Sequence, residues 1–124
     1  GRVAAGSQRV LIIDDNVDAA TTLATLLRAD EHIVEVTHSG LAALDLAGAF
    51  RPRVALVDLG MPGMNGFEVA QRLRAALDDV LLVAVSGYSG DETRRRARAA
   101  GFDEYVIKPF DPQAFEELLS PHAR

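Results

Sequence analysis

Apolar and polar positions along this chain follow two alternating periods. Short runs rich in β-branched residues and leucine recur at Arg9 to Ile13, Ile33 to Thr37, Val54 to Val57, Val80 to Val85 and Glu104 to Ile107. Their starts lie about 21 to 26 residues apart, which just accommodates one helix in each crossover. The pattern predicts five β/α units and an α/β fold built on parallel strands. The first, third and fourth runs are apolar throughout, as expected of interior strands covered on both faces. In the second run Glu35 separates Val34 from Val36, and that alternation predicts an edge strand.

Between the strands the apolar spacing becomes helical. Val17, Ala20, Leu23, Ala24, Leu26 and Leu27 predict one apolar face of a first helix, which Asn16 or Asp18 can cap. Leu41, Leu44 and Ala47 do the same for a second helix, and Phe67, Val69, Ala70 and Leu73 for a third. The fourth, Asp91 to Ala100, carries Arg94, Arg95, Arg96 and Arg98 and has only alanines to bury. It is expected to face solvent and to be loosely anchored. The last, Asp111 to Leu119, is expected to pack through Phe115, Leu118 and Leu119.

Composition narrows the function classes. A chain of 124 residues, 48% hydrophobic, suffices for one compact core. Residues 1–8 read as a linker or cloning remnant, 9–119 as the domain and 120–124 as a C-terminal tail. A net charge of −5 argues against a general nucleic-acid binder, which needs a basic face. The absence of cysteine removes disulfides, thiolate nucleophiles and Cys-ligated zinc, and fits a cytoplasmic setting. No apolar run approaches the roughly 20 residues of a membrane helix, so no membrane role is expected. His32, His38 and His122 lack metal-ligand spacing and are expected to serve packing or surface roles.

The candidate chemistry sits where strands end. Asp14 and Asp15 follow the first strand, Asp58 the third, Ser86 the fourth and Lys108 the fifth. In a parallel sheet these ends share one edge, outside which open α/β folds bind their ligands. The second strand ends in neutral Thr37 and, as an edge strand, is expected to contribute nothing to the site. Singly, each polar residue reads as a cap, turn or strand stop. Together they point to one site. Like charges about 4 Å apart cost about 4 kcal/mol per pair at an effective dielectric of 20, so three carboxylates call for protons or a cation. One lysine is too little, and magnesium suits one or two carboxylates, several waters and a phosphate oxygen. A carboxylate can attack phosphorus to give an acyl phosphate if neighbours stabilise the transferring group. Lys108 offers a cation, Ser86 a hydroxyl donor and Gly87 an uncrowded backbone N–H.

Asp14-Asp15, Asp58, Met61-Pro62-Gly63-Met64-Asn65-Gly66, Ser86-Gly87, Tyr105 and Lys108-Pro109-Phe110 resemble, in identity and order, the receiver domain of bacterial response regulators. The resemblance runs from about Arg9 to Leu119. It implies a flavodoxin-like, doubly wound (βα)5 fold with strand order 2-1-3-4-5 and helices on both faces, the crevice lying between strands one and three. It further implies that Asp58 accepts a phosphoryl group from a phosphohistidine on a sensor histidine kinase or histidine phosphotransfer protein. Asp15, Asp58 and the Gly60 carbonyl would hold Mg2+, with Asp14 acting partly through water. Lys108 would contact Asp58 and then the phosphate, Ser86 and Tyr105 would form a conformational switch, and the Lys108-Pro109 bond would be cis. The chain would be a phosphoacceptor signalling domain that assists its own phosphorylation and dephosphorylation, and not an enzyme. Gly60 and bulky Tyr88, which flank the acceptor in such domains, suggest a long phosphoryl lifetime.

Two other readings use the same parts. A phosphohydrolase of the haloacid dehalogenase type would place an Asp-x-Asp pair after the first strand, whereas Asp14 and Asp15 are adjacent and Asp58 follows the third. A flavodoxin would carry a Ser/Thr/Gly-rich phosphate loop where Asp14-Asp15-Asn16 stand, residues that repel phosphate. Within the receiver reading the choice lies between a free-standing regulator, an N-terminal receiver cut from its output domain and the C-terminal receiver of a larger protein such as a hybrid kinase, and the linker-like start and short tail favour the last. The expected output surface comprises the fourth helix, fifth strand and fifth helix, where Arg94 to Arg98 could dock an acidic partner.

Overall fold

The computed structural model describes residues 7–61, 65–87 and 90–119. Five strands, β1 (Arg9–Ile13), β2 (Ile33–Thr37), β3 (Val54–Asp58), β4 (Leu81–Ser86) and β5 (Glu104–Ile107), form one parallel sheet of order β2-β1-β3-β4-β5. The helices α1 (Val17–Ala29), α2 (Gly40–Phe50), α3 (Gly66–Ala76), α4 (Asp91–Ala100) and α5 (Pro112–Leu119) fill the crossovers. The α/β, doubly wound (βα)5 architecture with helices on both faces is therefore the observed one.

The two faces follow from the strand's twofold side-chain alternation. Leu11, Ile13, Ala55, Val57, Leu82 and Ala84 meet α2, α3 and α4 on one side. Their neighbours Val10, Ile12, Val54, Leu56, Val83 and Val85 meet α1 and α5 on the other. Because β1, β3 and β4 are covered twice, nearly every residue in them is buried. On the edge strand β2 only Val34 and Thr37 are buried, while Glu35 faces solvent.

Both β3 and β4 run one residue beyond the expected ends. Asp58 pairs in register with Val85, and Ser86 with Ile107, so both polar residues belong to the ladder itself. A backbone bond from Lys108 N–H to the Ser86 carbonyl (2.8 Å) ties the last two strand ends together.

The helical faces are narrower than the apolar pattern. In α1 Ala20, Ala24 and Leu27 are buried, but Val17 is 55% and Leu26 40% exposed. In α2 Ala43 and Ala47 are buried while Leu41 is 64% exposed. Small residues let these helices approach the sheet closely, so the buried stripe is only about one alanine or leucine wide per turn. Asn16, not Asp18, caps α1, its side-chain oxygen accepting the Ala19 N–H at 3.0 Å. The third helix buries Val69, Ala70 and Leu73 with Phe67 packed alongside, and α5 buries Phe115 and Leu119, all as expected.

Candidate functional site

The carboxyl ends of β1, β3 and β5 bring four charged side chains to one place. Asp14, Asp15 and Asp58 each offer an oxygen within 4.8 Å of the others. The Lys108 Nζ lies 3.6 Å from Asp58 Oδ2 and 3.8 Å from Asp14 Oδ2. Asp14 is buried, Asp58 half-buried and Asp15 exposed. Burial pushes the Asp14 carboxyl above its ordinary value, and the negative charge of Asp58 and a side-chain hydrogen bond with it add to the rise. The Asn16 N–H, donating to Asp14 Oδ1 at 2.9 Å, and the charge of Lys108 oppose it.

Two of the three carboxylates, those of Asp58 and Asp14, are aimed by local backbone. Asp58 Oδ1 accepts the Gly60 N–H at 3.0 Å, which holds the peptide after Leu59 against the carboxylate. Asp14 is held from the edge strand: its N–H donates to the Thr37 carbonyl (3.1 Å), and His38 Nδ1 donates to its carbonyl (2.9 Å). Thr37 Oγ1 in turn donates to the Ile12 carbonyl at 3.3 Å. The expectation that the second strand contributes nothing is thus corrected. It supplies no reacting group, but its end positions Asp14, through a register that residue identity alone does not reveal.

Gly66 is a second position whose role emerges only here. A Cβ there would stand 2.8 Å from Leu59 Cδ2 and 3.1 Å from the Asp58 carbonyl. The missing Cβ lets the first turn of α3, capped by Asn65, sit this close to the strand that carries Asp58. Gly87, by contrast, is exposed with open space where a Cβ would be, so its backbone N–H is uncrowded. Ser86 is buried at the end of β4, beside the carboxylates' strand.

Tyr105 lies apart from the cluster, on β5 opposite Ala84, half-buried against the α2–α4 side of the core. The Lys108-Pro109 bond is cis. A cleft of about 710 Å³ opens beside the carboxylates along α1, lined among others by Asn16, Leu23, Leu26, Lys108 and Phe110. His32 is buried and structural, accepting the Gln8 N–H on Nδ1 at 3.1 Å. Tyr88 and His122 lie outside the described residues.

The donor set fits a small hard cation. Three carboxylates converge on one point, with the single cation Lys108 beside two of them. A family model of the response regulator receiver domain matches residues 10–120. The chain belongs to the response regulator receiver domains. Response regulator MprA of Mycobacterium tuberculosis is 34% identical over 114 residues, covering 92% of this chain and 48% of that protein. The chain therefore spans about half the length of the curated relatives it matches. A Burkholderia pseudomallei response regulator, solved with a phosphorylated aspartic acid, calcium ion and citrate, superimposes with a TM-score of 0.87. It is 30% identical, with 94% of this chain and 69% of that chain covered. The Vibrio cholerae chemotaxis protein CheY4 superimposes at 0.86 with 25% identity, covering 91% of this chain and 96% of that one. Receiver domains are signalling domains, and the flavodoxin-like order seen here is theirs. Among the described residues no helix is long and apolar enough to cross a membrane.

Proposed function

We propose that this receiver domain takes a phosphoryl group onto Asp58 from the phosphohistidine of a sensor histidine kinase or histidine phosphotransfer protein. The observation that carries this reading is the Asp58 carboxylate set 3.6 Å from Lys108 Nζ, with two further carboxylates converging on it at the edge of the sheet. An Asp58 oxygen attacks phosphorus in line with the scissile P–N bond. The bond's electron pair returns to the imidazole, and an acyl phosphate remains. Lys108 offers its charge to the phosphoryl oxygens, and the Ser86 hydroxyl and Gly87 N–H donate to the same oxygens.

Asp15, Asp58 and the Gly60 carbonyl would hold Mg2+, with Asp14 acting partly through water. Bound there, Mg2+ neutralises charge on the transferring group. A calcium ion accompanies the phosphorylated aspartic acid in the structure of the Burkholderia relative, which supports a divalent cation as a partner of such a domain. The cleft along α1 admits an incoming histidine to Asp58. The same groups would assist loss of the phosphate to water, so the domain sets its own signal lifetime.

Ser86 and Tyr105 relay the state of Asp58 outward. The hydroxyl follows the new phosphate, and the ring turns into the space left, altering α4, β5 and α5. That face is the surface for an output partner, and Arg95 and Arg98, which have no ion pair among the described residues, offer charge to an acidic one. The length of the relatives supports a receiver within a larger response regulator. The hybrid-kinase placement draws no support from their names.

The test is incubation with acetyl phosphate or beryllofluoride and Mg2+, followed by intact mass and binding measurements on the parent and Asp58→Asn. A magnesium-dependent adduct on the parent alone is expected; an adduct on both proteins refutes the assignment.

A further inference from the structure

The arginines of α4 are not all solvated. The Arg94 guanidinium carbon lies 4.8 Å from the centroid of the Tyr105 ring, and that of Arg96 lies 4.3 Å from the Phe67 ring. Two residues apart, the two arginines leave opposite flanks of the helix, one toward β5 and the other toward α3. The helix needs such fastenings. It buries only Ala97 and Ala100, and its N-cap, Gly90, makes no side-chain capping bond. Arg94 makes no ion pair among the described residues, so its charge is directed to the ring rather than to a carboxylate. A cleft of about 170 Å³ lies beside the pair, lined by Arg98, Phe102, Glu104 and Tyr105 among others.

We infer that Arg94 is a positioning residue for Tyr105, stacking on the ring to hold it half-exposed and so opposing the inward turn that accompanies modification of Asp58. This rests on the reading of Tyr105 as the mobile ring. A guanidinium over a partly exposed aromatic face biases a two-state ring equilibrium by about two- to fivefold. Removing the guanidinium therefore favours the phosphorylated-like arrangement, because the stacking exists in only one of the two states. Lysine, a compact and strongly hydrated charge, stacks less well and is an intermediate replacement.

The experiment is a beryllofluoride titration at fixed Mg2+, with the Tyr105 ring followed by the 19F signal of 3-fluorotyrosine, assigned through Tyr88→Phe. Arg94→Met is expected to lower the beryllofluoride midpoint by about two- to fivefold. The same substitution should move the unliganded Tyr105 signal toward its position in the beryllofluoride-bound parent, with Arg94→Lys falling between. Arg96→Met, which removes the clasp on the α3 side, should leave the Tyr105 signal in place. An unchanged midpoint and signal in Arg94→Met overturns the inference, as does a raised midpoint. An equal response in Arg96→Met also overturns it, since the docking of α4 as a whole would then be responsible. A parent that fails to bind beryllofluoride brings down the reading of Asp58 and this inference together, an outcome the parent's own titration distinguishes from the others.

Discussion

Helices α3 and α4 lie side by side on the same face of the sheet, yet they are held by different forces. The third helix buries Val69, Ala70 and Leu73, begins on a capped turn and presses Gly66 against the backbone of Asp58 and Leu59. The fourth buries two alanines and adds arginine–ring contacts at its flanks. Apolar burial is strong and tolerates little displacement, whereas stacking at a partly exposed site is weak and easily remade. The backbone of Asp58, the proposed acceptor, thus rests against the firmly packed neighbour, and the proposed output face is built on the lightly packed one. A receiver needs both: a fixed acceptor geometry and a surface that shifts for a small free-energy difference.

The sharpest challenge to this contrast is Leu73→Ala. Truncating a fully buried leucine in α3 should cost about 2–5 kcal/mol in urea or guanidinium unfolding. A loss comparable to that of a surface substitution would show that α3 is no better anchored than α4. Gly66→Ala comes next. The added methyl must displace Leu59 or the Asp58 carbonyl, for an overpacking cost of about 1–3 kcal/mol. Phosphorylation by acetyl phosphate should slow as well, measured by adduct accumulation with time.

The charge balance of the site supplies a further test. The Asp14 carboxyl titrates above its ordinary value in the folded state, so between the unfolded and folded values the native protein holds the extra proton. Without metal, stability from this group is present at low pH and is lost as pH rises through the folded value. Asp14→Asn should remove that loss and stabilise the metal-free protein at neutral pH, and added Mg2+ should stabilise the parent more than the variant. Thermal unfolding with and without Mg2+ at several pH values measures both. The smallest effect belongs to Arg96→Met, about 0.5–1 kcal/mol or less. It should appear as faster amide exchange in α4 with α3 unchanged.

Several features of this protein were readable before any coordinates. Twofold and helical periodicities located five strands and five helices, because burial on one or both faces writes itself into residue type at fixed spacing. The polar ends Asp14, Asp15, Asp58 and Lys108 stood out because charge at the edge of an apolar strand is conspicuous, and parallel strands must bring such ends to one edge.

Other features depend on distances between elements, which no local pattern encodes. Periodicity marks the apolar side of a helix but not the width of the stripe that the sheet covers. Val17, Leu26 and Leu41 therefore read as core and stand in solvent. Thr37 and His38 look neutral in sequence, and only the parallel register of β1 with β2 sets them against the backbone of Asp14. The arginines of α4 read as one solvated cluster, and the tertiary fold assigned two of them to the rings of Tyr105 and Phe67. Residue identity and spacing decide which elements form and which groups end them. Long-range register and close approach decide what each group touches, because those contacts join residues that are distant along the chain.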